Sequence, residues 1–279
     1  MTRWTDIPRT FALGLRPWQM VYMMFFAAFG TFANLYNGPD AVLQLTSDVY
    51  LLMSVGSLFA LLPNFRRSLF REGDPLRGHR LRGGIFAKLG WRLYVYVILP
   101  AFFIALVQTF SALISSLISF GQSNVPEHPH LGDYLVALFA GTEELWRWSM
   151  IGTVLVVFYA CCRTLWHRPS VRAIAFTLAF VLSSLSFGAG HILEFQTHRL
   201  RALFLFSGLG ALLALMTVVT GRILLIMCVH MLYDVWVTYL SSSSGHDATL
   251  GLLIYTALLA GPIVTWVWRR NIFVRPNTW

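Results

Sequence analysis

Charged side chains are scarce in this 279-residue sequence, where they make up 12% of the residues while 57% are hydrophobic. Soluble domains usually carry about 25% charged residues. The scarcity excludes an ordinary soluble domain. Together with a mean hydropathy of +0.64, it predicts an all-α integral membrane protein.

Lysine and cysteine are nearly missing as well. Lys88 is the only lysine, so arginine carries almost all of the basic charge behind the net charge of +9. Arginines beside apolar segments are typical of membrane anchoring, and we find no soluble basic surface for nucleic acid. The three cysteines provide neither a disulfide framework nor a C-x-x-C metal pair. The sequence therefore predicts the lipid bilayer as a partner and excludes nucleic acid.

Long apolar segments fill most of the chain. A helix needs about 20 apolar residues to cross a bilayer. We treat residues 1–279 as one membrane domain whose first span is retained rather than cleaved as a signal peptide. The eight predicted spans are 18–36, 48–64, 92–118, 132–162, 171–192, 201–219, 222–241 and 248–268.

Arginine placement predicts the orientation of these spans. Arginines precede the first span, fill the loop after the second, follow the fourth and end the chain, whereas most other loops carry acidic residues. Under the positive-inside rule both termini are cytoplasmic. The compact, arginine-rich chain fits a multi-pass protein of the bacterial inner (cytoplasmic) membrane.

Ionisable residues inside the predicted spans are few. Such residues are costly in lipid, and they usually face one another or a water-filled cavity. At 1.5 Å per residue, their depths allow the fourth, fifth and seventh spans to bring them together. We expect the helices to enclose a polar cavity, with these candidate catalytic residues: Glu143, Glu144, Arg147, His191, His230 and Asp234.

Their spacing predicts specific pairs. Glu143 and Arg147 are i, i+4, and Glu144 and Arg147 are i, i+3, so either carboxylate can reach the guanidinium. Two carboxylates and one guanidinium leave a surplus negative charge, which favours a nearby histidine. A self-neutralising structural cluster is the alternative. His230 and Asp234 are i, i+4, so the carboxylate can orient the imidazole.

A carboxylate and two histidines suit hydrolysis. Glu143 can take a proton from water as a general base, and a donor-bearing histidine can stabilise an oxyanion. Alternatively, His191, His230 and Glu143 bind zinc with water as the fourth ligand. The sequence has no H-E-x-x-H to favour zinc, and no G-x-S-x-G to favour a serine nucleophile.

Three motifs together resemble the CPBP intramembrane proteases, which include type II CAAX prenyl endopeptidases and bacterial relatives linked to bacteriocin immunity. That family is marked by E-E-x-x-x-R, F-x-x-x-H and H-x-x-x-N/D on successive helices. This chain has EELWR at 143–147, FGAGH at 187–191 and HMLYD at 230–234. The resemblance covers residues 133–240, which we take as the catalytic core helices.

The resemblance implies an eight-helix membrane fold and peptide hydrolysis by glutamate-activated water. It implies that Glu143 is the base, that His191 and His230 assist or bind a metal, and that Asp234 supports them. The substrate it implies is a membrane-associated protein or peptide.

The first motif departs from the family pattern, because it is one residue short. Aligned on the glutamates, Glu143 is catalytic and Arg147 is rotated by about 100° around the helix. Aligned on the arginine, Thr142 takes the catalytic position. A one-residue helix bulge would reconcile the two alignments.

Three hypotheses follow. The first is an intramembrane endopeptidase, and the second is a catalytically inactive binding or immunity protein on the same scaffold. The third is a small transporter or proton relay, which rests only on the buried ionisable groups. Unbroken fourth, fifth and seventh spans count against the third.

Overall fold

The computed structural model describes residues 15–66, 89–90, 103–107, 109–110, 130–192, 199–220 and 222–241. Within these ranges the chain forms helices and connecting turns, without a strand, which confirms the all-α prediction for this part of the protein.

Within the described residues, eight α-helical segments are named in chain order, the shortest of them three residues long. They are α1 (Pro17–Leu35), α2 (Asp40–Ala60), α3 (Leu62–Asn64), α4 (Leu131–Ala140), α5 (Glu143–Cys161), α6 (Pro169–Gly190), α7 (Arg199–Thr220) and α8 (Ile223–Ser241). A 3-10 helix, Arg163–Leu165, lies between α5 and α6.

Three of the described helical segments are long and apolar enough to cross a membrane: Asp40–Asn64, Pro169–Gly190 and Arg199–Val218. Ile223–Val235 is a shorter apolar stretch. The predicted first, fifth, sixth and seventh spans match α1, α6, α7 and α8 to within about two residues. The second begins eight residues earlier than predicted, at Asp40. Most of the predicted third span and all of the eighth lie outside the described residues.

The predicted fourth span is wrong as a single helix. It is divided into α4 and α5 by a turn at Gly141 and Thr142. A Cβ atom at Gly141 would lie 2.6 Å from the backbone oxygen of Met227, so the missing side chain lets the turn touch α8. The sequence was interpreted as one span because apolar residues precede Gly141 and resume at Leu145, although Thr142, Glu143 and Glu144 interrupt them. The break also removes the case against a transporter that depended on an unbroken fourth span.

Helix α5 is the centre of the described bundle. It packs against α1, α2, α4, α6 and α8, while α6 makes its most extensive contact with α7. Trp146 anchors α5 to α1 by donating from Nε1 to the carbonyl of Ala27 at 3.2 Å. This central position lets the first turn of α5 face several helices at once.

Two apolar clusters surround the polar residues. One joins α1, α2, α5 and α6 and includes Phe26, Trp146 and Phe187. The other joins α7 and α8 and includes Leu209 and Leu213. The two clusters meet where the ionisable residues of the fourth, fifth and seventh predicted spans come together.

Candidate functional site

Helix ends place three of the candidate residues. Helix α5 begins at Glu143, so both glutamates lie in its first turn, where the helix dipole favours negative charge. Helix α6 ends at Gly190, and His191 follows as its C-terminal cap, where the dipole favours a cation. The break at Gly141 therefore creates the helix end at which the carboxylates lie.

Glu144 is the centre of a fully buried polar network. Its Oε2 pairs with Nη2 of Arg147, and its Oε1 lies 3.0 Å from Nδ1 of His230. Glu144 and Arg147 have no exposed side-chain area. A buried charge is tolerated only when it is paired and hydrogen-bonded, and each of these two side chains satisfies that condition for the other.

Arg147 is held by further contacts across the bundle. Its Nη1 donates to the carbonyl of Gly210 on α7 at 2.6 Å. Its guanidinium carbon lies 5.2 Å from the centre of the Phe187 ring on α6, within the range of a cation–π contact. Arg147 thus joins α5 to α6 and α7.

Glu143 lies in a different environment from its neighbour. Its Oε2 is 4.0 Å from Nε2 of His191, and the two side chains are 24% and 20% exposed. That distance is longer than a hydrogen bond but short enough for a strong charge interaction. The two adjacent glutamates therefore differ sharply, since one is sealed inside the bundle and the other is partly accessible.

The two histidines are arranged around one aromatic ring. Phe187 lies 4.8 Å from the His191 ring and 5.6 Å from the His230 ring, both edge to face. His191 also stacks on Phe206 at 4.4 Å. His230 Nε2 lies 3.7 Å from Oδ2 of Asp234. The positions of both imidazoles are therefore fixed by aromatic rings on α6 and α7 and by neighbouring carboxylates.

A small cavity opens beside these histidines. Its free volume is about 30 Å³, which is enough to hold a water molecule. Its walls combine polar and apolar side chains. It is lined by Val107, Phe187, His191, Phe206, Leu209, Leu213, His230, Tyr233 and Asp234. Glu143 reaches His191 but does not line this cavity.

The structure brings all six predicted site residues into one neighbourhood. Of the two pairs that the spacing allowed, the i, i+3 pair of Glu144 and Arg147 forms a direct ion pair. Helix α5 runs regularly from Glu143, without the one-residue bulge that would have reconciled the two alignments, and the irregularity lies before it, at the turn. Thr142 lies in the turn, and its hydroxyl donates to the carbonyl of Phe139 at 2.7 Å.

The zinc alternative does not fit the described residues. Among them, no group of three His, Cys, Asp or Glu side chains is placed to hold a metal ion. The expected ligand set divides, because Glu143 lies against His191 whereas the Nδ1 of His230 is engaged by Glu144.

Two residues near the site were missed from the sequence. Tyr50 on α2 lies against Gly30 of α1 beside Trp146, which is three residues after Glu143 on α5, and Asn34 on α1 lies against Gly190, next to His191. We considered only ionisable residues within the spans. An asparagine inside an apolar segment is also a signal of a polar contact, and Asn34 would have been found by it.

Comparison of the chain with protein-family models, with curated proteins and with solved structures gave no match.

Proposed function

We propose that the protein is an intramembrane endopeptidase that hydrolyses a peptide bond of a membrane-associated protein or peptide. The observation that carries the proposal is the difference in burial and pairing between two adjacent glutamates. Glu144 is buried and paired with Arg147, while Glu143 is partly exposed and 4.0 Å from His191. A partly exposed carboxylate beside an imidazole suits proton transfer. The resemblance of the three motifs to the CPBP proteases supports the same chemistry.

In the proposed reaction, Glu143 takes a proton from water as the water oxygen attacks the amide carbonyl carbon. The carbonyl π bond breaks, and its oxygen becomes an oxyanion that a histidine N–H stabilises. Glu143 then gives the proton to the leaving amine nitrogen as the C–N bond breaks. The products are a carboxylic acid and an amine, and the carboxylate of Glu143 is regenerated.

The buried network orients the second histidine. Because a carboxylate only accepts, the contact between Glu144 and His230 requires that Nδ1 of His230 carry a proton. Nε2 is then left to face Asp234 and the cavity. In this scheme His230 is held in place by Glu144, Arg147 and Asp234. Residues that surround a site in this way commonly orient the histidines that act in it.

The membrane arrangement is part of the proposal. Eight spans enclosing the polar site, both termini in the cytoplasm and a bacterial inner membrane follow from the apolar segments and the arginine distribution. Three described helices of sufficient length and apolarity support it. In this setting the substrate reaches the site from within the bilayer, so a tethered or inserted peptide is the expected substrate class.

The test compares cells that express the wild-type protein, Glu143→Gln and the matched control Asp40→Asn. Asp40 lies in the first turn of α2 and is exposed, so its variant alters a surface carboxylate only. Membrane fractions are analysed by mass spectrometry for new peptide termini. We expect termini that appear with the wild type and the control and are lost with Glu143→Gln. Identical termini in all three, at equal protein levels, would refute the proposal.

One observation favours the second candidate, a non-catalytic binding protein on the same scaffold. The cavity is lined mainly by apolar side chains, and Glu143 is not among them. Such a cavity suits an apolar side chain or acyl group. This candidate predicts a function that survives Glu143→Gln and is impaired by Leu209→Trp, which fills the cavity.

A further inference from the structure

One face of helix α7 forms a wall of the cavity beside the histidines. Phe206, Leu209 and Leu213 follow one another at i, i+3 and i+7, a spacing that places side chains on one side of a helix, and all three line the cavity. Leu209 and Leu213 are buried, and Phe206 stacks on the His191 ring. The proposed mechanism uses the histidines but gives this apolar wall no role.

Packing holds the wall at a fixed position relative to the site. Gly210 follows Leu209, and its carbonyl accepts the hydrogen bond from Arg147 on α5 at 2.6 Å. A Cβ atom at Gly210 would lie 3.0 Å from the Phe187 ring on α6. Leu209 also belongs to the apolar cluster that joins α7 and α8. Because close-packed interiors of this kind yield little, the surrounding side chains set the size of the cavity.

The volume of the cavity limits what it can hold. Its free volume is about 30 Å³, and one water-sized group needs about 10–15 Å³ of such volume. The cavity therefore admits about two such groups. The side chain of alanine has a single non-hydrogen atom and that of serine has a pair, whereas the branched side chain of leucine exceeds the space.

The position of the cavity relates it to the attacked carbonyl. In the proposed reaction a histidine N–H stabilises the oxyanion, so the carbonyl oxygen lies within hydrogen-bond distance of an imidazole. The Cα atom of the same substrate residue is only about 1.5 Å from the carbonyl carbon, so its side chain also lies beside the histidines. His191 and His230 line the cavity, whereas Glu143 is not among its described walls. A side-chain pocket needs this arrangement, because it adjoins the reacting carbonyl without containing the base.

We propose that the cavity receives the side chain of the substrate residue whose carbonyl is attacked, and that Leu209 and Leu213 restrict this residue to alanine or serine. The substrate class is then a membrane-associated protein or peptide that is cleaved directly after a small residue. The inference rests on the proposed function for the reaction, but selective binding of a small side chain can be measured without turnover.

Leu209→Ala tests the wall, and Leu205→Ala is its matched control. Leu205 lies one turn earlier on α7 and is buried in the same apolar cluster, but it is not among the described walls of the cavity. Both variants remove the same carbon atoms from the same cluster, and only Leu209→Ala enlarges the cavity. Leu213→Ala enlarges the cavity from the next turn of the helix and provides an independent second variant.

The first experiment measures kcat/KM of the full-length protein in lipid nanodiscs. The substrates are palmitoylated peptides, taken from the termini found in membrane fractions, with alanine or leucine before the scissile bond. We expect the wild type and Leu205→Ala to prefer alanine by at least about tenfold, the usual effect of one surplus methylene in an apolar pocket. Leu209→Ala should cleave the leucine peptide at least about tenfold faster than the wild type does.

A gain on the larger substrate cannot result from a loss of stability, so a destabilised Leu209→Ala protein still gives a decisive result. Equal cleavage of both peptides by the wild type would overturn the inference. An alanine preference that neither Leu209→Ala nor Leu213→Ala relaxes would overturn it as well.

The second experiment needs no turnover. Palmitoylated tetrapeptide aldehydes that end in alaninal or leucinal present a carbonyl and its adjoining side chain as the substrate does. Their Kd values are measured from the NMR signals of histidine-labelled protein in nanodiscs. We expect the wild type and Leu205→Ala to bind the alaninal peptide at least about tenfold more tightly than the leucinal peptide, and Leu209→Ala to lose this preference.

The two experiments separate the pocket from the reaction. Equal affinities in the wild type, or no binding of either aldehyde, would overturn the pocket. Cleavage that depends on Glu143 but shows no preference for a small residue would overturn the pocket alone. Selective aldehyde binding without cleavage of any peptide would overturn the proposed function alone.

Discussion

Removal of Arg147 tests the buried network most directly. Arg147→Met keeps much of the length and apolar volume of the side chain but removes the cation that pairs with Glu144 and donates to Gly210. Glu144 has no exposed side-chain area, so water cannot replace the lost partner. Breaking a buried ion pair from one side costs about 3–5 kcal/mol. We expect a loss of this size in the free energy of unfolding.

The second half of the test restores charge balance. Glu144→Gln alone leaves Arg147 buried without its carboxylate, at a similar cost of about 3–5 kcal/mol. In the double variant neither charge remains, and a glutamine can still contact Nδ1 of His230. Replacing both members of a buried pair is often close to neutral. The double variant should therefore be more stable than either single variant.

The assay is equilibrium unfolding of purified protein in mixed micelles as the SDS fraction is raised, with Arg163→Met as the control. Arg163 is exposed in the 3-10 helix, so its loss should change stability by less than about 0.5 kcal/mol. The reasoning fails if Arg147→Met costs no more than the control. It also fails if the losses of the two single variants simply add in the double variant, since residues that form one pair must be coupled.

Three further predictions follow. Gly141→Ala should destabilise the protein by about 1–3 kcal/mol, because its Cβ atom would meet the Met227 carbonyl; unfolding as late as the wild type would contradict the close contact. Phe187→Leu should raise the activation free energy of cleavage, obtained from kcat, by more than it lowers the free energy of unfolding, since the ring separates the two histidines. Equal changes in the two free energies would mean that the ring only fills space. Dialysis against a chelator should leave cleavage unchanged, because the described residues offer no group of three metal ligands; activity lost with EDTA and regained with zinc would contradict this.

Local information in the sequence was enough to identify most of the described helices. The apolar segments are so long that composition alone predicts an all-α membrane protein, and the ends of α6, α7 and α8 fall within about two residues of the predicted spans. The proline at the start of α6 and the glycine at its end are typical start and stop signals of a helix. The six ionisable residues were also identifiable, because charge inside an apolar segment is rare for a physical reason.

The break in the fourth predicted span depended on tertiary structure. Apolar residues flank the break on both sides, and neither one glycine nor the polar residues after it end a helix by themselves. The turn forms where the chain meets the backbone of α8 at Met227, a contact between residues 86 positions apart in the chain. No local pattern contains that information.

The roles of the two glutamates were decided in the same way. By spacing alone, Glu143 and Glu144 can each reach Arg147. The carbonyl of Gly210 and the ring of Phe187 hold the guanidinium on one side of α5, and His230 approaches Glu144 from α8. Sequence determined which charges enter the bundle, because burying them has a cost that limits their number. Only the packing of distant helices decided which carboxylate is sealed inside and which remains accessible, because that choice depends on neighbours contributed by α6, α7 and α8.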